Sequence, residues 1–175
     1  SGLPRNLLAR MQIIEYLRAF LFGRLGWSPL NGVLIISGAF GLFDRARVEA
    51  VGGYRTDTVG EDMELVVRLH RWHRRKRIAY RIRYLPDPIC WTEAPEDLGT
   101  LGRQRSRWQR GLAESLMSHP PWRFGWRAGA AGWLAWPFMA LFEWIGPLIE
   151  LSGYVFMIVA FAMGWVSPVA FTVFI

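Results

Sequence analysis

Three short stretches of this chain hold side chains whose types and spacing could do chemistry. Gly60-Glu61-Asp62-Met63-Glu64 gathers three carboxylates at the start of a helical pattern. Acidic side chains in a first helical turn are stabilised by the helix dipole by a few tenths to ~1 kcal/mol, so a structural role alone would account for them. A carboxylate fixed there could also take the proton from an attacking hydroxyl, a task that needs a rigid, well-placed base. Gln104-Arg105-Ser106-Arg107-Trp108 combines different functions. Arginine pairs with diphosphate oxygens through two parallel hydrogen bonds, glutamine adds a neutral one, and tryptophan offers a flat face for a sugar ring. Arg-rich segments beside a membrane commonly meet lipid headgroups, which explains the charges but not the Gln and Trp among them. The third stretch, Ser37-Gly38-Ala39-Phe40-Gly41, is a run of small residues that would let a ligand approach the backbone, or would make an ordinary turn.

These stretches must be positioned by the elements around them. Leu7, Leu8, Met11, Ile14, Leu17 and Leu21 recur with helical spacing between residues 4 and 25, giving an amphipathic helix that packs on a core or lies at a membrane interface. The branched run from Gly32 to Ser37 reads as a buried strand, and the alternation of Ile78, Tyr80, Ile82 and Tyr84 with Ala79, Arg81 and Arg83 as a second. Pro86-Asp87-Pro88 breaks the chain, Ile89 to Thr92 reads as a further short strand, and a helix begins near Pro95. The segment from Glu61 to Arg75 is a helix with Met63, Val66, Val67 and Leu69 near one face. Interleaved strands and helices predict an α/β domain over residues 1–125.

Residues 126–175 belong to another solvent. From Ala128 onward the only charges are Glu143 and Glu150, in a chain that is 52% hydrophobic. This tail exceeds the ~20 apolar residues needed to cross a bilayer, and its Gly, Pro and polar breaks predict spans at about Trp126–Trp144, Pro147–Met163 and a third from Pro168. The net charge of +7 is concentrated before this tail, including Arg103, Arg105, Arg107, Arg110, Arg123 and Arg127. That asymmetry keeps residues 1–125 on the cytosolic side of a multi-pass protein in the cell membrane, and makes lipid, not nucleic acid, the expected partner. Both chain ends read as cut. The single Cys90 reads as a buried core residue in a reducing compartment, and His70, His73 and His119 have no metal-ligand spacing.

Taken together, Gly60-Glu61-Asp62 and Gln104-x-x-Arg107-Trp108 resemble the acidic and Gln-x-x-Arg-Trp motifs of the processive, membrane-integrated family-2 glycosyltransferases, which include cellulose, chitin, hyaluronan and poly-N-acetylglucosamine synthases. The likeness extends over essentially the whole chain, including Cys90-Trp91-Thr92-Glu93. It implies the second half of a GT-A-type domain followed by interfacial and transmembrane helices, with Asp62 as general base. It places Gln104, Arg105, Arg107 and Trp108 at the diphosphate and the acceptor sugar, with Gly38, Ala39, Phe40 and Glu61 nearby. The partners implied are a UDP-sugar donor, a growing β-linked polysaccharide, membrane lipid and accessory export subunits. The family's Asp-x-Asp motif, which holds Mg²⁺ or Mn²⁺, does not occur here. The expectation is therefore that this fragment carries no metal site, that the intact enzyme's cation is bound by an N-terminal motif outside it, and that the fragment alone is inactive. Two other readings stay open: a nonprocessive membrane glycosyltransferase adding one sugar to a lipid or short acceptor, and a non-enzymatic membrane adaptor whose basic run Arg71 to Arg77 holds anionic lipid.

Overall fold

The computed structural model describes residues 6–36, 38, 40–87, 90, 92–124 and 128–174. Among these every regular element is a helix, which overturns the α/β expectation. Over their described residues the predicted strands, 32–36 and 78–84, form no regular element and no ladder, Arg77 lies in the left-handed region, and Ser37 lies outside the described residues. The reason lies in where their backbone groups go. Asn31 Oδ1 accepts from the Ile82 N–H at 2.8 Å, Asn31 Nδ2 donates to the Tyr80 carbonyl at 3.3 Å, and Ser28 Oγ accepts from the Tyr84 N–H at 3.1 Å. The Val33 carbonyl is taken by His70 Nε2 at 2.9 Å. Side chains therefore satisfy groups that a neighbouring strand would otherwise pair. The alternation survives as burial: Tyr80, Ile82 and Tyr84 are half-buried while Arg81 and Arg83 are exposed. Ile89 and Trp91 of the third predicted strand, and Gly125 to Arg127 at the predicted domain boundary, lie outside the described residues.

The chain divides into two compact units, residues 1–137 and 138–175. In the first, α1 (Leu7–Leu17) starts at Asn6, whose Oδ1 accepts from the Leu8 N–H at 2.8 Å. It continues through a π-helical stretch, Arg18–Arg24, into α2 (Leu25–Trp27). This helix is turned contrary to the usual soluble pattern: Leu7, Met11, Ile14 and Phe22 are 62–80% exposed, whereas Gln12 is buried. Gln12 Nε2 donates to the Pro95 carbonyl at 2.7 Å and Asn6 Nδ2 to that of Glu96 at 2.8 Å. The polar face thus holds the protein and the apolar face looks outward.

Helix α3 (Arg45–Ala50) is capped by Asp44. At the centre lies α4 (Glu61–Lys76), with acidic residues in its first turn and basic ones in its last, each matched to the dipole. Met63 to Val67, Leu69, His70 and His73 are all buried. Full burial of Leu65, Val66 and Val67 contributes ~1.5–3 kcal/mol each before entropy is counted. Arg77 ends the helix in the left-handed region at φ 58°. Helix α5 (Leu98–Ser118), capped by Asp97, packs on α4 through Leu112, Ser115 and Leu116.

The second unit begins within α6 (Trp136–Phe138) and contains a π-helical stretch, Met139–Trp144, then α7 (Gly146–Ala162) and α8 (Pro168–Phe174). Phe161 stacks on Phe171 at 4.3 Å, and Gly164 at φ 75° makes the turn between α7 and α8. Among the described residues one continuous helix, Ala131–Ala162, is long and apolar enough to cross a membrane: 32 residues, mean hydropathy 1.8, with 6% of its apolar window buried. Most of the described residues of the first two predicted spans lie in this one helix, and α8, beginning where the third was predicted, covers seven residues. The expected buried cysteine is also revised, since Cys90 is exposed.

Candidate functional site

Asp62 occupies the first turn of α4, beside a cleft of about 320 Å³ lined by Ile36, Gly38, Gly41, Phe43, Tyr54, Glu61 and Asp62 itself. The absence of a side chain at Gly38 matters to this carboxylate: a Cβ there would stand 3.1 Å from Asp62 Oδ2. Phe43 and Tyr54 meet edge to face at 6.3 Å. Burial pushes the Asp62 carboxyl above its ordinary range, and the neighbouring Glu61 pushes the same way. The Met63 N–H, which donates to Oδ1 at 2.7 Å, and the Arg24 charge pull it down without cancelling the rise. A carboxylate made more basic by a partly dry setting, with open space in front of it, is equipped to accept a proton.

The start of α4 is held against α5 at unusually short range. A Cβ on Gly60 would lie 2.8 Å from the Gly111 Cα, and one on Gly111 would lie 2.8 Å from the Gly60 Cα, so the two backbones touch with no side chain between them. Glu114, one turn further along α5, accepts from the Thr58 hydroxyl at 2.9 Å, the Val59 N–H at 3.0 Å and Arg110 Nε at 2.7 Å. The Arg110 bond foremost, then the bonds from Val59 and Thr58, hold its carboxyl down at about 2. Gly60 directly precedes the acidic turn and Gly111 lies three residues after Trp108. The crossing therefore fixes one candidate segment against the other.

Within that second segment, Gln104, Arg105 and Trp108 lie along one side of α5. Gln104 Oε1 accepts from the Tyr16 hydroxyl at 3.3 Å. Arg105 donates two hydrogen bonds to the Glu15 carboxylate, at 2.6 and 2.5 Å, and its guanidinium lies 4.9 Å from the centre of the Trp108 ring. Tyr16 and Trp108 are 6.1 Å apart, tilted by 47°. Trp108 remains 42% exposed and Arg107 is exposed. Of the turn residues, Gly38 lines the cleft with Glu61, Phe40 is half exposed outside the cleft lining, and Ala39 lies outside the described residues.

Comparison with known proteins bears on what this arrangement serves. The family model described as glycosyl transferase family group 2 matches residues 4–175. The chain belongs to this glycosyltransferase family. Among its relatives is a poly-beta-1,6-N-acetyl-D-glucosamine synthase of Staphylococcus aureus, 38% identical over 124 residues, which are 67% of this chain and 28% of the relative. The protein of the same description from Staphylococcus epidermidis is 33% identical over 122 residues, with the same coverage. The chain thus spans 28% of the length of these curated relatives. No solved structure matches it.

Several residues around the cleft have partners that their spacing did not reveal. Glu64 shares the acidic turn with Asp62 but is buried, 2.8 Å from both Arg68 and His119. Burial raises its carboxyl, while His119 and Arg68 together outweigh that and hold it below the usual range. Arg68 also donates to the carbonyls of Val51 and Gly53, at 2.5 and 2.6 Å, so this cluster braces the 51–58 loop behind the cleft. His70 Nδ1 is 2.7 Å from the Tyr80 hydroxyl and His73 Nδ1 is 2.8 Å from the Leu69 carbonyl. Each histidine is engaged in packing. Among the described residues no group of three His, Cys, Asp or Glu side chains is placed to hold a metal ion.

Proposed function

We propose that these residues form the acceptor side of an inverting glycosyltransferase that extends a β-linked polysaccharide from a UDP-sugar. The observation that carries the reading is the Asp62 carboxylate, raised by burial and facing the open Gly38 cleft, in a chain of glycosyl transferase family group 2. Asp62 takes the proton of the acceptor hydroxyl as that oxygen bonds to the anomeric carbon of the donor. The bond from that carbon to the diphosphate breaks, and UDP leaves with the electron pair. The exposed Arg107 offsets charge on the departing diphosphate, Gln104 adds a neutral hydrogen bond, and the exposed face of Trp108 stacks on the terminal sugar. The printed names of the two staphylococcal relatives favour N-acetylglucosamine as the sugar.

The reaction is proposed for the longer protein in which these residues act. The Mg²⁺ or Mn²⁺ expected of such an enzyme has no fitting set of ligands among the described residues. Membrane lipid is proposed as the solvent of Ala131–Ala162 and of the outward apolar face of α1, with the site on the cytosolic side of a multi-pass protein. Accessory export subunits are compatible with that placement.

The test is polymer formation by the full-length protein in membrane vesicles, supplied with individual UDP-sugars and Mg²⁺ or Mn²⁺. Wild type is compared with Asp62→Asn and Trp108→Ala. A long β-linked polymer from UDP-N-acetylglucosamine, lost in both variants while insertion is normal, supports the proposal. Full activity in Asp62→Asn makes Asp62 a helix-start carboxylate only, and addition of a single sugar by wild type replaces extension with a nonprocessive reaction.

A further inference from the structure

Helix α1 touches the Gln104–Trp108 segment through two consecutive residues. Tyr16 reaches Gln104 and faces Trp108, while Glu15 takes both terminal nitrogens of Arg105 and leaves the flat guanidinium beside the Trp108 ring. The five partners on α5 and α1 interlock. The N–H groups that Arg105 would aim end-on at a diphosphate are already directed at a carboxylate. An incoming diphosphate would also meet the negative charge of Glu15 at the same place. Arg107 differs, being exposed and in no ion pair among the described residues.

The pair is also poorly suited to stabilising the fold. Its side chains are 34% and 41% exposed, a setting in which an ion pair contributes little to folding. What the bidentate geometry does supply is direction: a planar guanidinium held at two points presents one face, and that face meets an aromatic ring. On the same helix face Gln12, and at the helix start the capping Asn6, bind the carbonyls of Pro95 and Glu96 just ahead of α5. The polar face of α1 is therefore a jig for the first half of α5.

We infer that Glu15 is a positioning residue for the acceptor side of the site: through Arg105 it sets the Trp108 ring, and Arg105 is a stacking cation for that ring, not a ligand of the diphosphate. This rests on the proposed glycosyltransferase reading. It assigns the two arginines of the segment different duties, with Arg107 left to the phosphates.

The experiment is a charge exchange in the full-length protein in membrane vesicles, with UDP-N-acetylglucosamine as donor and UDP as inhibitor. The variants are Glu15→Arg, Arg105→Glu, the double exchange, and the milder Glu15→Gln. Each single reversal is expected to lower kcat about tenfold while the donor KM and the UDP inhibition constant stay within about twofold, as loss of alignment without loss of phosphate contacts requires. The double exchange rebuilds the ion pair but leaves no cation at position 105 to face the Trp108 ring, so kcat is expected to stay more than threefold below wild type while the UDP inhibition constant stays within about twofold. Glu15→Gln gives a smaller loss with an unchanged melting temperature, which separates alignment from folding. Two results overturn the inference. One is wild-type kcat in both Glu15 variants. The other is a UDP inhibition constant raised about tenfold in Arg105→Glu and not recovered in the double exchange, which makes Arg105 a diphosphate ligand. Asp62→Asn is run alongside: transfer retained there refutes the proposed base, and the exchange is still read on the same polymer signal.

Discussion

Replacing Gly111 by alanine tests whether the crossing of α4 and α5 sets the geometry of the site. The new Cβ would stand 2.8 Å from the Gly60 Cα and 2.9 Å from its nitrogen, both backbone atoms with no rotamer to turn away. Reaching a separation near 3.4 Å takes a retreat of about 0.6 Å by one helix from the other. Two terms oppose each other in stability. Alanine is favoured over glycine inside a helix by ~1 kcal/mol, and forced overpacking costs ~1–3 kcal/mol, so the net loss is ~0–2 kcal/mol. Catalysis has no such offset. Glu114 and Ser115 follow Gly111 on α5 and bond to Thr58, Val59 and Gly60, so a retreat also slackens the turn that carries Asp62. A misplacement of ~1 Å can cost about a hundredfold in rate, and one somewhat smaller is expected to cost ten- to a hundredfold. Polymer synthesis in vesicles and thermal unfolding of the same solubilised preparation should therefore diverge, with activity falling far more than stability. Wild-type activity in Gly111→Ala would refute the claim that this contact positions the two segments.

Two further substitutions probe single contacts. Gly38→Ala places a Cβ 3.1 Å from Asp62 Oδ2; since the carboxylate can swing aside, folding should be nearly unchanged and the polymerisation rate should fall about tenfold, measured as initial rates in the same vesicles. His70 is buried with Nε2 on the Val33 carbonyl, and burial depresses it to about 4 from an ordinary 6.5. The unfolded chain thus takes up this proton near pH 6.5 while the folded one resists until about 4. Stability should fall as pH drops through that window, by up to ~3 kcal/mol from this group. Thermal unfolding from pH 7 to 4 should show a smaller acid-side loss in His70→Phe than in wild type; parallel curves would show that His70 is not the titrating group.

What could be read along the chain depended on how far each feature reaches. Helix α4 was legible because its cause is local: glycine before it, acidic residues in the first turn, basic residues in the last, and apolar positions between. The start of α5 was legible for similar reasons, with Asp97 capping it at the Thr100 N–H. The strands were misread because alternation reports which side chains are covered, not which groups receive the backbone hydrogen bonds. Asn31 and Ser28, some fifty residues earlier in the chain, satisfy the 80–84 segment, and no short-range pattern announces that. The same limit hid Glu114 and Glu15, whose partners lie 55 to 90 residues away. A signal for Glu15 was present, though ambiguous. A charged residue among the apolar positions of an amphipathic helix marks either its water face or a specific partner, and only the fold distinguishes the two.

The acidic turn shows why residue type alone could not apportion the chemistry. Asp62 and Glu64 are two positions apart, and on a helix that spacing puts them on different sides. Asp62 turns to the cleft, where burial leaves it with too few compensating partners and raises it. Glu64 turns inward to Arg68 and His119, which more than repay its burial and lower it. A general base must be deprotonated at neutral pH yet ready to take a proton, and only the first environment favours that uptake. Glu64 has its oxygens committed to the brace behind the cleft. Neighbouring carboxylates of one helical turn are thus separated into a candidate base and a structural anchor by what they face: the cleft lined by Ile36, Gly38, Phe43 and Tyr54 for Asp62, and Arg68 with His119 for Glu64.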